Sequence, residues 1–216
     1  MGGGQVGAAI YIWGSILTCT LALVISVPFS LATAVFMTQI APKLGERIIR
    51  PAVEIFVGIP SVVYGWVGLV VLVPLLQRIF DLPHGQSVLA AGIVLSVMIY
   101  PTITSVSADA IRSVNNKYVE GAYGLGSTRW QMIYKVLLPA ALPGILTAIV
   151  LGLARAFGEA LAVSMVIGKM RAFPDSLLAP TNSLTAAIAS DMGGAMDGGE
   201  FNAALWSMAL LLFIIS

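Results

Sequence analysis

The sequence predicts an all-α membrane protein, a polytopic helical bundle of about five spans, on three observations. Apolar residues make up 58% of the chain and charged residues 10%, with a mean hydropathy of +0.96, values of a protein whose surface meets lipid. Uncharged stretches recur at lengths close to or above what about 30 Å of hydrocarbon requires. Every charge except Arg155 and Glu159 lies between those stretches. Helices follow because a lipid-exposed backbone must satisfy its own hydrogen bonds.

Each element has its own signal. Residues 6–40 hold no charge and contain Pro28, which is expected to kink the span. Residues 41–54 form a polar connector with Lys43, Arg47 and Arg50. The second span, 55–77, is interrupted at Gly58-Ile59-Pro60-Ser61 and again at Pro74; a short loop, 78–86, follows it. In the third span, 87–108, Pro101 precedes Thr102, Thr104, Ser105 and Ser107, hydroxyls suited to satisfying carbonyls that a proline frees. Residues 109–139 are a polar loop, 140–168 the fourth span, and 169–200 a polar segment with a short helix at 182–189. The last run, 201–216, has 16 residues, ~24 Å of helix, less than the hydrocarbon core.

Loop charges set the orientation. The 41–54 and 109–139 loops hold seven of the eleven basic residues, which places both on the cytoplasmic side. The 78–86 loop and the 169–200 segment, with Asp175, Asp191, Asp197 and Glu200, then face outward. Counting back, the first span begins outside, although Met1-Gly2-Gly3-Gly4-Gln5 has no basic leader. The expectation is a chain cut at both ends, lacking a preceding span and the end of the last.

Composition also narrows the chemistry. A net charge of +1 gives no electrostatic footprint for nucleic acid. Cys19 is the lone cysteine and His84 the lone histidine, the latter in a turn-like Asp-Leu-Pro-His-Gly stretch, so no metal site is expected. Neither HExxH nor Gly-x-Ser-x-Gly occurs, and no catalytic set can be assembled. The chain lacks Gly-x4-Gly-Lys-Ser/Thr, so no cofactor is expected and ATP would have to be bound by a partner.

The 109–139 loop reads as a basic helix–turn–helix. It holds Arg112, Lys117, Arg129 and Lys135 against Asp109 and Glu120. One helix is predicted from about Asn116 to Leu125, with Asn115 or Asn116 as its cap. A second starts on the capping box Thr128-Arg129-Trp130-Gln131, and its residues Trp130, Ile133, Tyr134 and Leu137 form an apolar face by spacing. Gly124 and Gly126 permit the turn between them.

This loop resembles the EAA loop of ABC-importer permeases, whose pattern is Glu-Ala-Ala, three residues, Gly, nine residues, then Ile-x-Leu-Pro. Here it reads Glu120-Gly121-Ala122, Gly126, and Val136-Leu137-Leu138-Pro139, with Gly121 in place of Ala and Val136 in place of Ile. The resemblance implies that Glu120, Gly121, Ala122, Gly126, Leu138 and Pro139 couple the chain to a cytoplasmic ATPase. The alternative is an ordinary amphipathic loop.

Arg155 and Glu159 are the remaining signal. With the fourth helix starting near Pro143, Arg155 lies ~18 Å along it, close to mid-membrane. Such a placement costs roughly 2.5–3.5 kcal/mol, so the guanidinium needs a partner or a polar cavity. Glu159, at i+4, shares its face on a continuous helix. The two form either a structural pair or part of a solute path in which the guanidinium fork meets an anion.

Arg155-Ala156-Phe157-Gly158-Glu159-Ala160-Leu161-Ala162-Val163 and Met165-Val166-Ile167-Gly168 resemble phosphate-importer permeases of the PstC type. So do Gly58-Ile59-Pro60-Ser61-Val62-Val63-Tyr64-Gly65 and Asn182-Ser183-Leu184-Thr185-Ala186, in a likeness that begins at Gly3-Gly4-Gln5. Phe157 and Ala160 stand where Leu and Thr are more usual. The resemblance implies a single transmembrane permease domain over 1–216, the core of a type-1 ABC importer in the cytoplasmic (inner) membrane of a prokaryote. It implies translocation of inorganic phosphate with Arg155 and Glu159 on the path. It also implies a second permease subunit, an ATPase dimer and an extracytoplasmic phosphate-binding protein as partners. Another oxyanion such as sulfate, or an ion-coupled carrier with Glu159 as proton site, are the alternatives.

Overall fold

The structure, a computed structural model, describes residues 8–195 and 198–215. Asp197, expected to face outward, and the Gly3-Gly4-Gln5 stretch lie outside the described residues. Among the described residues everything regular is helical, apart from one isolated parallel bridge between Gly168 and Thr181. The order is α1 (Ala8–Val35), α2 (Pro42–Leu44), α3 (Arg50–Gly58), α4 (Ser61–Val67), α5 (Val73–Phe80), α6 (Val88–Arg112), α7 (Asn116–Gly124), α8 (Arg129–Met132), α9 (Leu138–Gly158), α10 (Leu161–Val166), α11 (Leu184–Asp191) and α12 (Glu200–Ile215). Four helical runs are long and apolar enough to cross a membrane: Ala8–Ile40, Ser61–Phe80, Val88–Arg112 and Arg129–Gly158. α12 is apolar but shorter.

Proline placement departs from the sequence expectation in an instructive way. Pro74 and Pro139 do not interrupt their helices. Four π-helical turns, Phe36–Ile40, Gly45–Ile49, Gly68–Leu72 and Ile133–Leu137, each end two residues before a proline: Pro42, Pro51, Pro74 and Pro139. The residue just before each proline donates its N–H five residues back, as Leu138 does to the Ile133 carbonyl. A proline ring collides with the carbonyl four residues upstream and offers no N–H. Widening the preceding turn makes room and keeps the ladder running. The second loop helix therefore leads directly into the fourth span, and no boundary falls at Pro139. Pro28 and Pro101 lie inside α1 and α6, which run through them.

The described residues form two compact units. One takes in the chain up to Val24, Ile59–Met98 and everything from Ala154 on. Its apolar core joins Tyr11 to Leu184, Ala187, Leu205 and Met208. α4 packs closely on α10: a Cβ at Gly65 would lie 2.7 Å from Ala162 Cα. The N-terminus of α6 receives backbone acceptors from a distant loop. Val88 N donates to Ala179 O (3.2 Å) and Leu89 N to Leu177 O (2.8 Å), satisfying donors that a helix start leaves open.

The other unit comprises Ile25–Gly58 and Ile99–Leu153. Its core runs from Ala34, Val35 and Met37 at the end of the first span to Met132, Ile133 and Leu137 in the loop and Ala141 and Ile145 beyond it. Arg50 pairs with Glu54 (3.3 Å), Asp109 (3.5 Å) and Glu46 (3.8 Å), and Arg112 with Glu46 (2.6 Å) and Asp109 (3.6 Å). The three carboxylates are more than half exposed while Arg112 is partly buried, so each surface pair adds little by itself. Two of the hydroxyls after Pro101, those of Thr104 and Ser107, do not take the expected role. Ser30 of α1 donates to the Tyr100 carbonyl (3.2 Å), while Thr104 and Ser107 are buried without a partner among the described residues.

Candidate functional site

The fourth span is not one continuous helix through residue 168, as the sequence pattern suggested. α9 ends at Gly158, Glu159 and Ala160 are non-helical, and α10 begins at Leu161. The reason is visible in the hydrogen bonds. Glu159 Oε1 accepts from Ala162 N (3.1 Å), taking one of the open donors of α10. Thr185 Oγ1 donates to the Glu159 carbonyl (2.9 Å), fixing the backbone of the break. The expected i, i+4 relation of Arg155 and Glu159 on one helix face is therefore replaced by a helix end: Arg155 stands in the last turn of α9, and Glu159 looks onto α10.

Arg155 and Glu159 are both partly buried. The Tyr64 phenol, on the second span, lies within electrostatic reach of the Arg155 guanidinium. Around Glu159 the structure gathers hydroxyls, two from the 182–186 segment and two, Ser15 and Thr18, that the sequence reading did not single out. Ser15 and Thr18 of α1, Ser183 and Thr185 line a small recess with the Glu159 side chain. Ser183 caps α11 by accepting from Ala186 N (3.2 Å). Its hydroxyl lies 3.4 Å from Thr185 Oγ1, and Ser15 Oγ accepts from Leu184 N (2.9 Å). Gly14 permits this approach, since a Cβ there would collide with the Asn182 carbonyl. The sequence signal was present as hydroxyls in an apolar run, but nothing local connects Ser15 with Thr185.

The 109–139 loop forms largely as its sequence predicts. Asn115 accepts from Lys117 N (3.0 Å) at the start of α7. Thr128 and Gln131 make both bonds of the capping box, Thr128 N to Gln131 Oε1 (2.9 Å) and Gln131 N to Thr128 Oγ1 (3.4 Å). Gly126 adopts φ +78°, the conformation that favours glycine. Its surroundings are open, with no atom within 4 Å of an added Cβ; the same holds for Gly121. Glu120, Gly121, Gly126 and Pro139 are exposed, Leu138 is partly buried and Ala122 is buried.

The predicted apolar face of the second helix splits. Ile133 and Leu137 are buried together with Met132, whereas Trp130 is 64% exposed and Tyr134 59%. With Tyr118, Tyr123 and Leu125 these side chains form an exposed aromatic and apolar surface on the loop. Such a surface suits a protein partner.

Four membrane-length helices, a partly buried arginine at the end of one of them and an exposed, capped helix pair define a membrane transport subunit. The chain belongs to the family described as "Binding-protein-dependent transport system inner membrane component", which it matches over residues 26–216. It is 51% identical over 210 residues to the "Probable ABC transporter permease protein YqgH" of Bacillus subtilis, covering 97% of this chain and 68% of that protein. It is 38% identical to the "Phosphate transport system permease protein PstC" of Haemophilus influenzae, covering 98% and 73%. The fold is similar to a solved chain of the inward-facing MetNI methionine ABC transporter (TM-score 0.68, 22% identity, covering 97% of this chain and 87% of that one). The chain is thus a permease subunit of an ABC importer, located in the inner membrane, a transport subunit whose ATPase is a separate chain. This removes the ion-coupled carrier as an alternative.

Proposed function

We propose that the solute is inorganic phosphate and that Arg155 meets it on its way through the membrane. The observation that carries this reading is an arginine at the last turn of α9, beside a break built by Glu159 and Thr185, in a chain whose relatives include several named as phosphate permeases. A guanidinium presents a planar fork of donors matched to phosphate oxygens. The hydroxyls at Ser15, Thr18 and Thr185 add polar lining in a setting where apolar side chains would otherwise prevail. Glu159 belongs to the path as the residue that shapes the break.

In the same proposal the 109–139 loop is cytoplasmic and docks an ATPase dimer through Glu120, Gly121, Ala122, Gly126, Leu138 and Pro139, with the exposed Tyr118, Tyr123, Leu125, Trp130 and Tyr134 around them. The 169–200 segment faces outward toward a phosphate-binding protein, and a second permease subunit completes the path. Closure of the ATPase pulls on the loop and moves the spans.

Solute-stimulated ATPase activity of the reconstituted complex tests the solute. Phosphate should stimulate hydrolysis and sulfate should not. Stimulation by sulfate alone would replace phosphate with the other oxyanion. That second reading is favoured by the same guanidinium, which recognises either, and by the YqgH relative, whose name specifies no solute.

A further inference from the structure

We propose that Arg129 carries movement of the docked ATPase from the loop to the end of the first span, making it a positioning residue for energy coupling. The inference rests on the docking reading above. Arg129 is the first residue of α8, and the capping box at Thr128 and Gln131 fixes that turn. Its Nη2 donates to the Gln39 carbonyl and lies 3.4 Å from the Ile40 carbonyl. These two carbonyls close the π turn Phe36–Ile40, where the chain leaves the helix at Ala41 (φ −132°, ψ 67°) and Pro42 offers no N–H. A helix end leaves carbonyls without intrahelical donors and carries partial negative charge, and a guanidinium answers both.

The contact does not stand alone. Below it, Val35 and Met37 of the first span share a core with Met132, Ile133 and Leu137. Gly45 packs on the Met37 carbonyl, leaving no room for a side chain between the connector and the span end. A shared apolar core resists separation but permits sliding, because burial is non-directional. Directed hydrogen bonds from a planar fork set the register. Arg129 is thus the polar pin between a surface the ATPase would grip and a helix that crosses the membrane.

The test compares wild type, Arg129→Gln and Arg129→Lys in the complete reconstituted importer, reading phosphate transported per ATP hydrolysed alongside ATPase co-purification. The expected result for Arg129→Gln is normal ATPase recovery and hydrolysis with transport per ATP down about tenfold, the scale of losing a hydrogen bond to a charged group. Arg129→Lys, which keeps charge and a donor but not the fork, should recover part of it. A wild-type ratio in Arg129→Gln would overturn the proposal. Loss of ATPase binding would overturn it too, making Arg129 a docking residue. If Arg129→Gln fails to accumulate, Arg129→Lys decides: a lowered ratio with full ATPase recovery supports the pin, and a wild-type ratio refutes it. A wild-type complex that moves sulfate but not phosphate would instead sink the solute assignment, and the same ratios would then be read with sulfate.

Discussion

Arg155 and Glu159 entered as a pair on one helix, and the structure gives them different work. Glu159 spends one carboxylate oxygen on the first turn of α10. A glutamine keeps that acceptor and an alanine does not. Glu159→Gln should therefore assemble and transport at a substantial fraction of wild type, while Glu159→Ala should lose about 1 kcal/mol of local stability, the usual worth of a helix cap, and transport poorly. Complex recovery and phosphate uptake from the same membranes would show this. Equal behaviour of the two variants would remove the capping role. Arg155→Gln should instead assemble and lose most uptake, and Arg155→Lys should recover only part, because the ammonium lacks the bidentate fork. If Arg155→Gln with Glu159→Gln restored uptake near wild type, Arg155 would be a strut between helices and not a solute contact.

At the scale of elements, the loop and the α4–α10 contact make opposite uses of glycine. Gly126 has open surroundings, so substitution there acts through the backbone: a side chain at φ +78° costs roughly 1–2 kcal/mol. Gly121 is helical with nothing near an added Cβ. Gly121→Ala should leave ATPase co-purification unchanged, restoring the residue type usual in the loop pattern, and Gly126→Ala should reduce it. Gly65 is the reverse case, with backbone in the way. Gly65→Leu forces α4 off Ala162 and should cost on the order of 1–3 kcal/mol of overpacking, read as a lower unfolding temperature in detergent. An unchanged temperature would mean that α4 and α10 are not closely packed.

For the whole molecule the decisive property is orientation. In a Cys19→Ser background, a cysteine at Leu125, on the tip of the loop and 90% exposed, should be blocked from impermeant reagent in intact cells. One at Asp175, exposed in the 169–200 segment, should react. The reverse pattern would overturn the topology and the docking role with it. The charge distribution that supports this orientation is a property of loops as strings of residues, independent of how the spans pack.

That independence marks what the sequence determined by itself. Span positions, the helix pair at Asn115 and Thr128, the capping box and the turn at Gly126 are local. Hydropathy over some twenty residues, or a hydroxyl three residues from an amide, acts within reach of its own backbone and was readable from residue types. The tertiary structure alone decided three things. It decided which of two apolar stripes on the second loop helix is covered, burying Ile133 and Leu137 while leaving Trp130 and Tyr134 outside, because periodicity defines faces but not neighbours. It decided that the helix runs on through Pro74, where the sequence suggested an interruption, and through Pro139, where the sequence placed the end of the loop, because a widened turn makes room for each ring and keeps the ladder running. It decided the break at Glu159, because the hydroxyl that fixes that backbone comes from Thr185, 26 residues away and invisible to any local pattern.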